Sequence, residues 1–230
     1  MKKLSSYHPL KYGVYLSIIG IVIISCSYLF WKNNLIGYWT GFSAIFVSIS
    51  YFANSTILFG KNQNGKLALH SILILPYLII IRLIWHIQKL ISNESKMDKV
   101  TDNLYAGRRI LNFEVPNFIT QVIDLTCEFN EPSKIAKEKK YYSLSILDGG
   151  TPQISHLRNI LSNINLSNEK TLIHCAKGHG RTSMIIVLFL LKNGICNNIE
   201  EAINFLISKR PKAKMNKHQK QFVEKFYNNL

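Results

Sequence analysis

Residues 174–182 read HCAKGHGRT: a cysteine, five residues that include two glycines, then an arginine followed by a threonine. An ionised cysteine is a strong nucleophile near neutral pH. Arginine presents a planar fork of donors that matches two oxygens of one phosphate, which a lysine cannot do. Bringing both around one anion requires the chain to wrap. The flanks are suited to that: TLIHC (171–175) is a short apolar run of strand type, and TSMIIVLFLLKNG (182–194) is an apolar helical run stopped by Gly194. A loop between a strand end and a helix start turns successive N–H groups inward, and the helix N-terminus adds partial positive charge, so the concavity suits a tetrahedral oxyanion. Gly178 and Gly180 relieve the backbone in such a wrap. Ala176, Lys177, Gly178, His179 and Gly180 are expected to line the cup, with Arg181 closing it by a two-pronged contact and Cys175 at its base, where the surrounding dipoles favour thiolate over thiol. The chemistry predicted is attack of sulfur on phosphorus, departure of an alcohol, and hydrolysis of the phosphocysteine by water.

The elements that position this loop are those of an α/β domain beginning near Val100. NLYAG (103–107), FITQVIDLT (118–126) and YYSLSIL (141–147) read as strands, and ISHLRNILSNI (154–164) has helical spacing after Pro152. Asp148, Gly149 and Gly150 form a turn or mobile loop between the third of these strands and that helix.

Ahead of this domain lies a different kind of sequence. GVYLSIIGIVIISCSYLFW (13–31) and LIGYWTGFSAIFVSISYFANSTILF (35–59) are long enough to cross a bilayer, which takes about 20 residues, and only Lys32, Asn33 and Asn34 separate them. Tyr28, Phe30 and Trp31 resemble an aromatic belt. The third run, 67–81, carries His70 and Pro76 and continues to Ile91 through Arg82, His86 and Lys89; it either spans or lies in the interface. The expected division is a membrane region at 1–91 with two to three transmembrane helices, and a catalytic domain at 92–230. A signal peptide at Lys2 and Lys3 is disfavoured, because no cleavage site with a polar mature start follows. Burial of such runs inside a soluble helical domain would need a much larger protein.

The loop matches the C-x5-R-S/T signature of the protein tyrosine and dual-specificity phosphatase superfamily. Three other segments carry the same resemblance: VTDNLYAG (100–107) at the opening strand, VIDLT (122–126) at the next, and RPKAKMNKHQ (210–219), which is similar to R-P-x4-N-x2-Q. The resemblance implies a central sheet flanked by helices, a cofactor-free hydrolase, Cys175 as nucleophile, Arg181 as phosphate clamp and Thr182 as the hydroxyl that eases thiolate departure. It implies that His174 organises the loop from outside. It also implies an aspartate on a mobile loop as general acid. Asp148 fits that place; Asp124, inside a strand, is the rival and suits a structural hydrogen bond. A metal site at His174, Cys175 and His179 lacks a companion pair at zinc spacing. The nucleotide fingerprints lack their third glycine or their Gly-Lys-Ser/Thr. A catalytically inactive phosphate-binding adaptor is the non-enzymatic alternative.

Of the four cysteines, Cys26, Cys127 and Cys196 suit packing, although Cys127, at the end of VIDLT, is also placed to trap an oxidised nucleophile. Net charge is +15, with a dense basic run at 209–220, and no aromatic platform or groove-reading motif points to nucleic acid. A tethered basic domain points instead to anionic headgroups. The expected substrate is a phospholipid or phosphoinositide monoester, with phosphoprotein as the alternative, and a reducing, cytoplasmic compartment suits the thiolate.

Overall fold

The computed structural model describes residues 8–164 and 169–228; Lys2 and Lys3 lie outside them. Helix α1 (His8–Phe30) and helix α2 (Leu35–Ala53) form an antiparallel hairpin. Their approach is close because glycines face each other: a Cβ on Gly20 would come to 2.7 Å from the Gly41 carbonyl. Ser17 donates to Ser48 across the same seam at 3.0 Å. Asn34 caps α2 by accepting from the Gly37 N–H, and Asn54, in the left-handed region at φ 46°, ends it. The second apolar run therefore stops being helical before Phe59. The third is broken too: a 3₁₀ turn at Leu69–Ile74 precedes α3 (Leu75–Ile91), which Pro76 helps to start. By length and apolar composition the described residues hold three candidate spans, Leu10–Phe30, Leu35–Ala53 and Leu69–Ile91.

The remaining elements are β1 (Met97–Lys99), β2 (Leu104–Arg108), β3 (Gln121–Thr126), α4 (Ser133–Glu138), β4 (Lys140–Ile146), α5 (Ile154–Asn163), β5 (Thr171–Cys175), α6 (Gly180–Lys192), α7 (Ile199–Lys209) and α8 (Lys217–Tyr227). They build a five-stranded sheet of order β1-β2-β5-β3-β4, antiparallel at β1-β2 and parallel elsewhere. The expected α/β architecture with a central sheet and flanking helices is what forms. Strands β3 and β5 are buried at every position, as expected of parallel strands covered on both faces. Helix α6 is buried from Arg181 to Leu191, and its all-round apolar sequence is that of a central helix rather than a surface one. A separate apolar cluster joins the two regions: Val47, Tyr51, Phe59, Ile74 and Leu78 pack with Cys127 and Leu147 of the α/β domain.

Candidate active site

Strand β5 ends the sheet's central position at Cys175, which is 3 % exposed, and α6 begins five residues later at Gly180. The chain between them curls tightly. Gly178 has φ +75°, and a Cβ there would collide with the Gly107 carbonyl and the Arg108 nitrogen of β2. The Gly178 N–H points inward and donates to Cys175 Sγ at 3.2 Å. The carbonyls point outward and each meets a donor. Ala176 O accepts from the Arg109 N–H at 3.3 Å and from the Trp85 indole N–H at 2.8 Å, while Lys177 O and Gly178 O accept from Arg210 Nη2 at 3.2 Å and Nε at 2.9 Å. Carbonyls satisfied outside leave the N–H groups for an anion inside.

Arg181 is buried, and its fork is arranged differently from the expectation. Nη1 and Nη2 hold the two oxygens of Glu128 at 3.0 Å and 2.8 Å, and Nη1 also donates to Ile146 O at 2.9 Å. Glu128 and then Asp148 hold the guanidinium charged against the cost of burial. The Nε atom is buried without a partner. With Nη1 fully engaged, the edge left for an oxyanion is Nε together with the second N–H of Nη2, itself a two-pronged edge.

Asp148 follows β4, and its side chain is 65 % exposed with Oδ1 3.3 Å from Arg181 Nη2. Its turn contains Gly149 at φ +71°. That turn is held from α8: Asn216 Nδ2 donates to Gly149 O at 2.9 Å and Gln219 Nε2 to Gly150 O at 3.2 Å, while the same two side chains form the capping box of α8. The run at 210–219 is therefore not a uniform basic face. Arg210 stitches the cup from behind, and Asn216 and Gln219 fasten the aspartate turn.

Behind the cup, His174 is fully buried with Nδ1 3.9 Å from Asp124 Oδ1 and Nε2 3.5 Å from Glu131 Oε1. Burial alone would lower its pKa, but Glu131 and then Asp124 raise it. Asp124 accepts from the Thr126 N–H and hydroxyl, both at 2.7 Å, from the Tyr141 hydroxyl at 2.9 Å, and from Lys61, which reaches in from the segment between α2 and the 3₁₀ turn. Burial works against its ionisation, yet Lys61 and His174 hold it well below the usual carboxylate range. Asp124 is thus a buried structural acceptor, as its place in a strand suggested. Asp124, Glu131 and His174 resemble a metal donor set, with ligand atoms within 4.8 Å of one another; the Lys61 ammonium already supplies a cation beside them.

The remaining expected residues divide. Thr182 lies one residue past Arg181 with its hydroxyl buried and unpartnered. Lys177 is exposed on the rim. His179 turns to Glu94, Nε2 to Oε2 2.6 Å, so its ring nitrogen is engaged outside the cup. Cys127 lines the same cavity as Cys175, but burial and then the Glu128 carboxylate push its thiol well up, which suits packing rather than redox trapping.

Sequence reasoning missed Glu128, Lys61 and the wall opposite the cup. The cavity over Cys175 measures about 430 Å³, and its far side is made by Tyr12 and Tyr15 of α1, Tyr51 of α2 and Tyr77 and Trp85 of α3. Trp85 is 4 % exposed, packs on Phe129 at 5.8 Å between ring centroids, and lies under the Arg109 guanidinium at 5.1 Å. Glu128 was visible only as an acid just past VIDLT, and nothing in the apolar helices marked which tyrosines face the site.

Comparison with known proteins agrees with this geometry. The sequence model of the dual specificity phosphatase catalytic domain matches residues 104–229. A search of curated proteins returns no match. Solved structures of similar fold include Tk-PTP in its active form (21 % identity, TM-score 0.53, covering 59 % of this chain and 98 % of that one). The human tyrosine phosphatase-like serine/threonine/tyrosine-interacting protein is similar at 17 % identity and TM-score 0.52, covering 59 % and 98 %. PTPMT1 in complex with PI(5)P is similar at 16 % identity and TM-score 0.50, covering 59 % and 96 %.

Proposed function

The chain belongs to the dual specificity phosphatases through its catalytic domain, and from that footing we propose that it is a membrane-anchored phosphatase using Cys175 to hydrolyse phosphate monoesters on phospholipid headgroups. The sulfur of Cys175 attacks phosphorus as the bond to the leaving oxygen breaks. Inward N–H groups of the loop and the Nε–Nη2 edge of Arg181 stabilise the equatorial oxygens. Asp148 protonates the departing alkoxide. Its carboxylate then takes a proton from water as water attacks the phosphocysteine, phosphate leaves, and Thr182 stabilises the returning thiolate.

The observation that carries the membrane part is the hydrogen bond from Trp85 to the Ala176 carbonyl, because it places an apolar helix on the phosphate cup itself. Helix α3 is docked along its length: Leu78 packs against Cys127 and Leu147, Trp85 on the loop, and Lys89 pairs with Glu114 at 3.2 Å. From 78 to 89 is about 16 Å at 1.5 Å per residue, and the N-terminal end of α3 leans on α2, where the Tyr77 N–H donates to Ser43 Oγ at 3.2 Å; on this reading α3 lies partly in the interface, its apolar face toward the acyl chains, rather than crossing. The crossing element is then the α1–α2 hairpin. That puts the start of α1 and the α/β domain on one side, together with Lys11, Arg82 and Lys89, and leaves Lys32 at the far turn. The positive-inside rule makes the shared side cytoplasmic. PTPMT1, of similar fold, was solved with PI(5)P bound, which supports a phosphorylated lipid as the substrate class.

The test uses the full-length protein in mixed vesicles. Wild type is expected to hydrolyse p-nitrophenyl phosphate and vesicle phospholipid monoesters faster than phosphotyrosine peptides. Cys175→Ser is expected to lose turnover while still binding vanadate, since serine offers no accessible anion at neutral pH. Turnover by the serine variant overturns the mechanism, and preference for phosphopeptides overturns the substrate class. A wild type that binds phosphate without turnover is the inactive adaptor.

A further inference from the structure

The cavity over Cys175 has a second, apolar end. Beyond its tyrosines the wall consists of Leu16 and Ile19 from α1 and Ile81 and Ile84 from α3. Ile19 is 49 % and Ile84 41 % exposed, so this end is open outward, on the surface that the apolar helices present to lipid. Its depth follows from helix geometry. From Tyr12 to Trp31 is about 28 Å at 1.5 Å per residue, close to the roughly 30 Å of bilayer hydrocarbon. Aromatic residues stand at both ends of that length, Tyr12 and Tyr15 at one and Tyr28, Phe30 and Trp31 at the other, as in interfacial belts. Tyr12 and Tyr15 thus stand at headgroup level, and Leu16 and Ile19 lie about 1.5 Å and about one turn further toward the hydrocarbon than Tyr15.

The distance between the two ends is short. Trp85 touches the rim of the cup, and Ile84 and Ile81 are its neighbours at one residue and about one turn, roughly 6 Å, along α3. A phosphate in the cup is therefore within a turn of the surface on which chains can lie. An inositol ring or other sugar between phosphate and chain would carry the chains past that surface.

We infer that the cleft between α1 and α3 is an acyl-chain site, entered sideways from the bilayer, and that the preferred substrate bears its phosphate monoester directly on a diacylglycerol or a long-chain alcohol. This rests on the phosphatase reading and narrows it. The carbon–oxygen–phosphorus chemistry is unchanged: the lipid alkoxide leaves with the Asp148 proton and the chains remain in the cleft until the alcohol diffuses back into the bilayer.

The experiment is a chain-length series on the full-length protein in detergent: butyl, hexyl, octyl and decyl phosphate as monomers, with p-nitrophenyl phosphate as reference. A methylene leaving water is worth at most about fourfold, and partial contact with the cleft is expected to raise kcat/KM at least tenfold from butyl to decyl. Ile84→Ser and Ile19→Ser, at outward positions, are expected to flatten that slope. In vesicles, dioleoyl phosphatidate is expected to be hydrolysed at least tenfold faster than phosphatidylinositol 4-phosphate; faster phosphatidate than decyl phosphate at equal surface density assigns the diacyl source, the reverse the single-chain alcohol. A flat series in the wild type, or phosphatidylinositol 4-phosphate turned over faster, overturns the acyl-chain site while p-nitrophenyl phosphate hydrolysis keeps the phosphatase reading standing. Loss of p-nitrophenyl phosphate hydrolysis in the wild type removes both.

Discussion

Asp148 and Glu128 both contact Arg181, yet their surroundings suit them to different tasks. Glu128 is nearly buried and grips both terminal nitrogens of the fork, whereas Asp148 is exposed on a glycine turn with one oxygen 3.3 Å away. A buried carboxylate in a two-point contact orients its partner; an exposed one at the cavity mouth is free to meet a leaving group. Asp148→Asn is expected to lower kcat by 10²- to 10⁴-fold on alkyl phosphates and far less on p-nitrophenyl phosphate, whose leaving group needs no proton. Equal losses on both substrates would remove Asp148 from the acid's role. Glu128→Gln is expected to cost about 10²-fold in kcat/KM on both, because Arg181 is misplaced for every substrate, with vanadate affinity falling in parallel and Glu128→Asp recovering part of it. Unchanged vanadate affinity in Glu128→Gln would show that Arg181 needs no such support.

At the scale of elements, the cup depends on parts far away in sequence. Arg210 holds the loop's outer carbonyls, α8 holds the aspartate turn, and the segment after α2 sends Lys61 into the network behind His174. Lys61 and Asp124 are both fully buried, and breaking a buried pair by removing one partner typically costs about 3–5 kcal/mol because a charge is left uncompensated. Lys61→Met is therefore expected to lower Tm by about 6–20 °C, at some 2–4 °C per kcal/mol for a chain of this size, as followed by thermal unfolding in detergent. The double variant Lys61→Met/Asp124→Asn should recover much of the loss, since the orphaned charge is gone. If the single variant melts as the wild type does, the membrane-proximal segment is not part of the catalytic domain's support.

For the whole molecule, the proposed topology turns on how α3 is docked. Three crossings would separate the start of α1 from the α/β domain, whereas a crossing hairpin with an interfacial α3 would keep them together. In sealed, right-side-out vesicles a tag before residue 8 and the domain at 92–230 are both expected to be protected from protease, while a cysteine placed at Asn33 is expected to react with an impermeant maleimide. Labelling of the tag with protection of the domain would restore three crossings and detach α3 from the cup. Digestion of the domain itself would reverse the cytoplasmic assignment.

The cysteine–arginine loop, the strands around it, the aspartate turn and the apolar helices were all legible from residue types and spacing, because each is a local matter of period, turn chemistry or a short motif. The strand boundaries moved by a residue or so at NLYAG and YYSLSIL and by three at FITQVIDLT, where β3 starts at Gln121. The apolar runs proved less continuous than they looked, since Asn54 ends α2 and a 3₁₀ turn precedes α3. What only the tertiary structure decided is contact between distant segments. Glu128 meets Arg181 because β3 lies beside β5, with Asp124 opposite His174 in register. Trp85 meets Ala176 across 91 positions and Lys61 meets Asp124 across 63. Hydropathy states that a segment is apolar but not what covers it, so a helix that walls an active site and a helix that faces lipid on all sides have the same composition; packing alone distinguishes them.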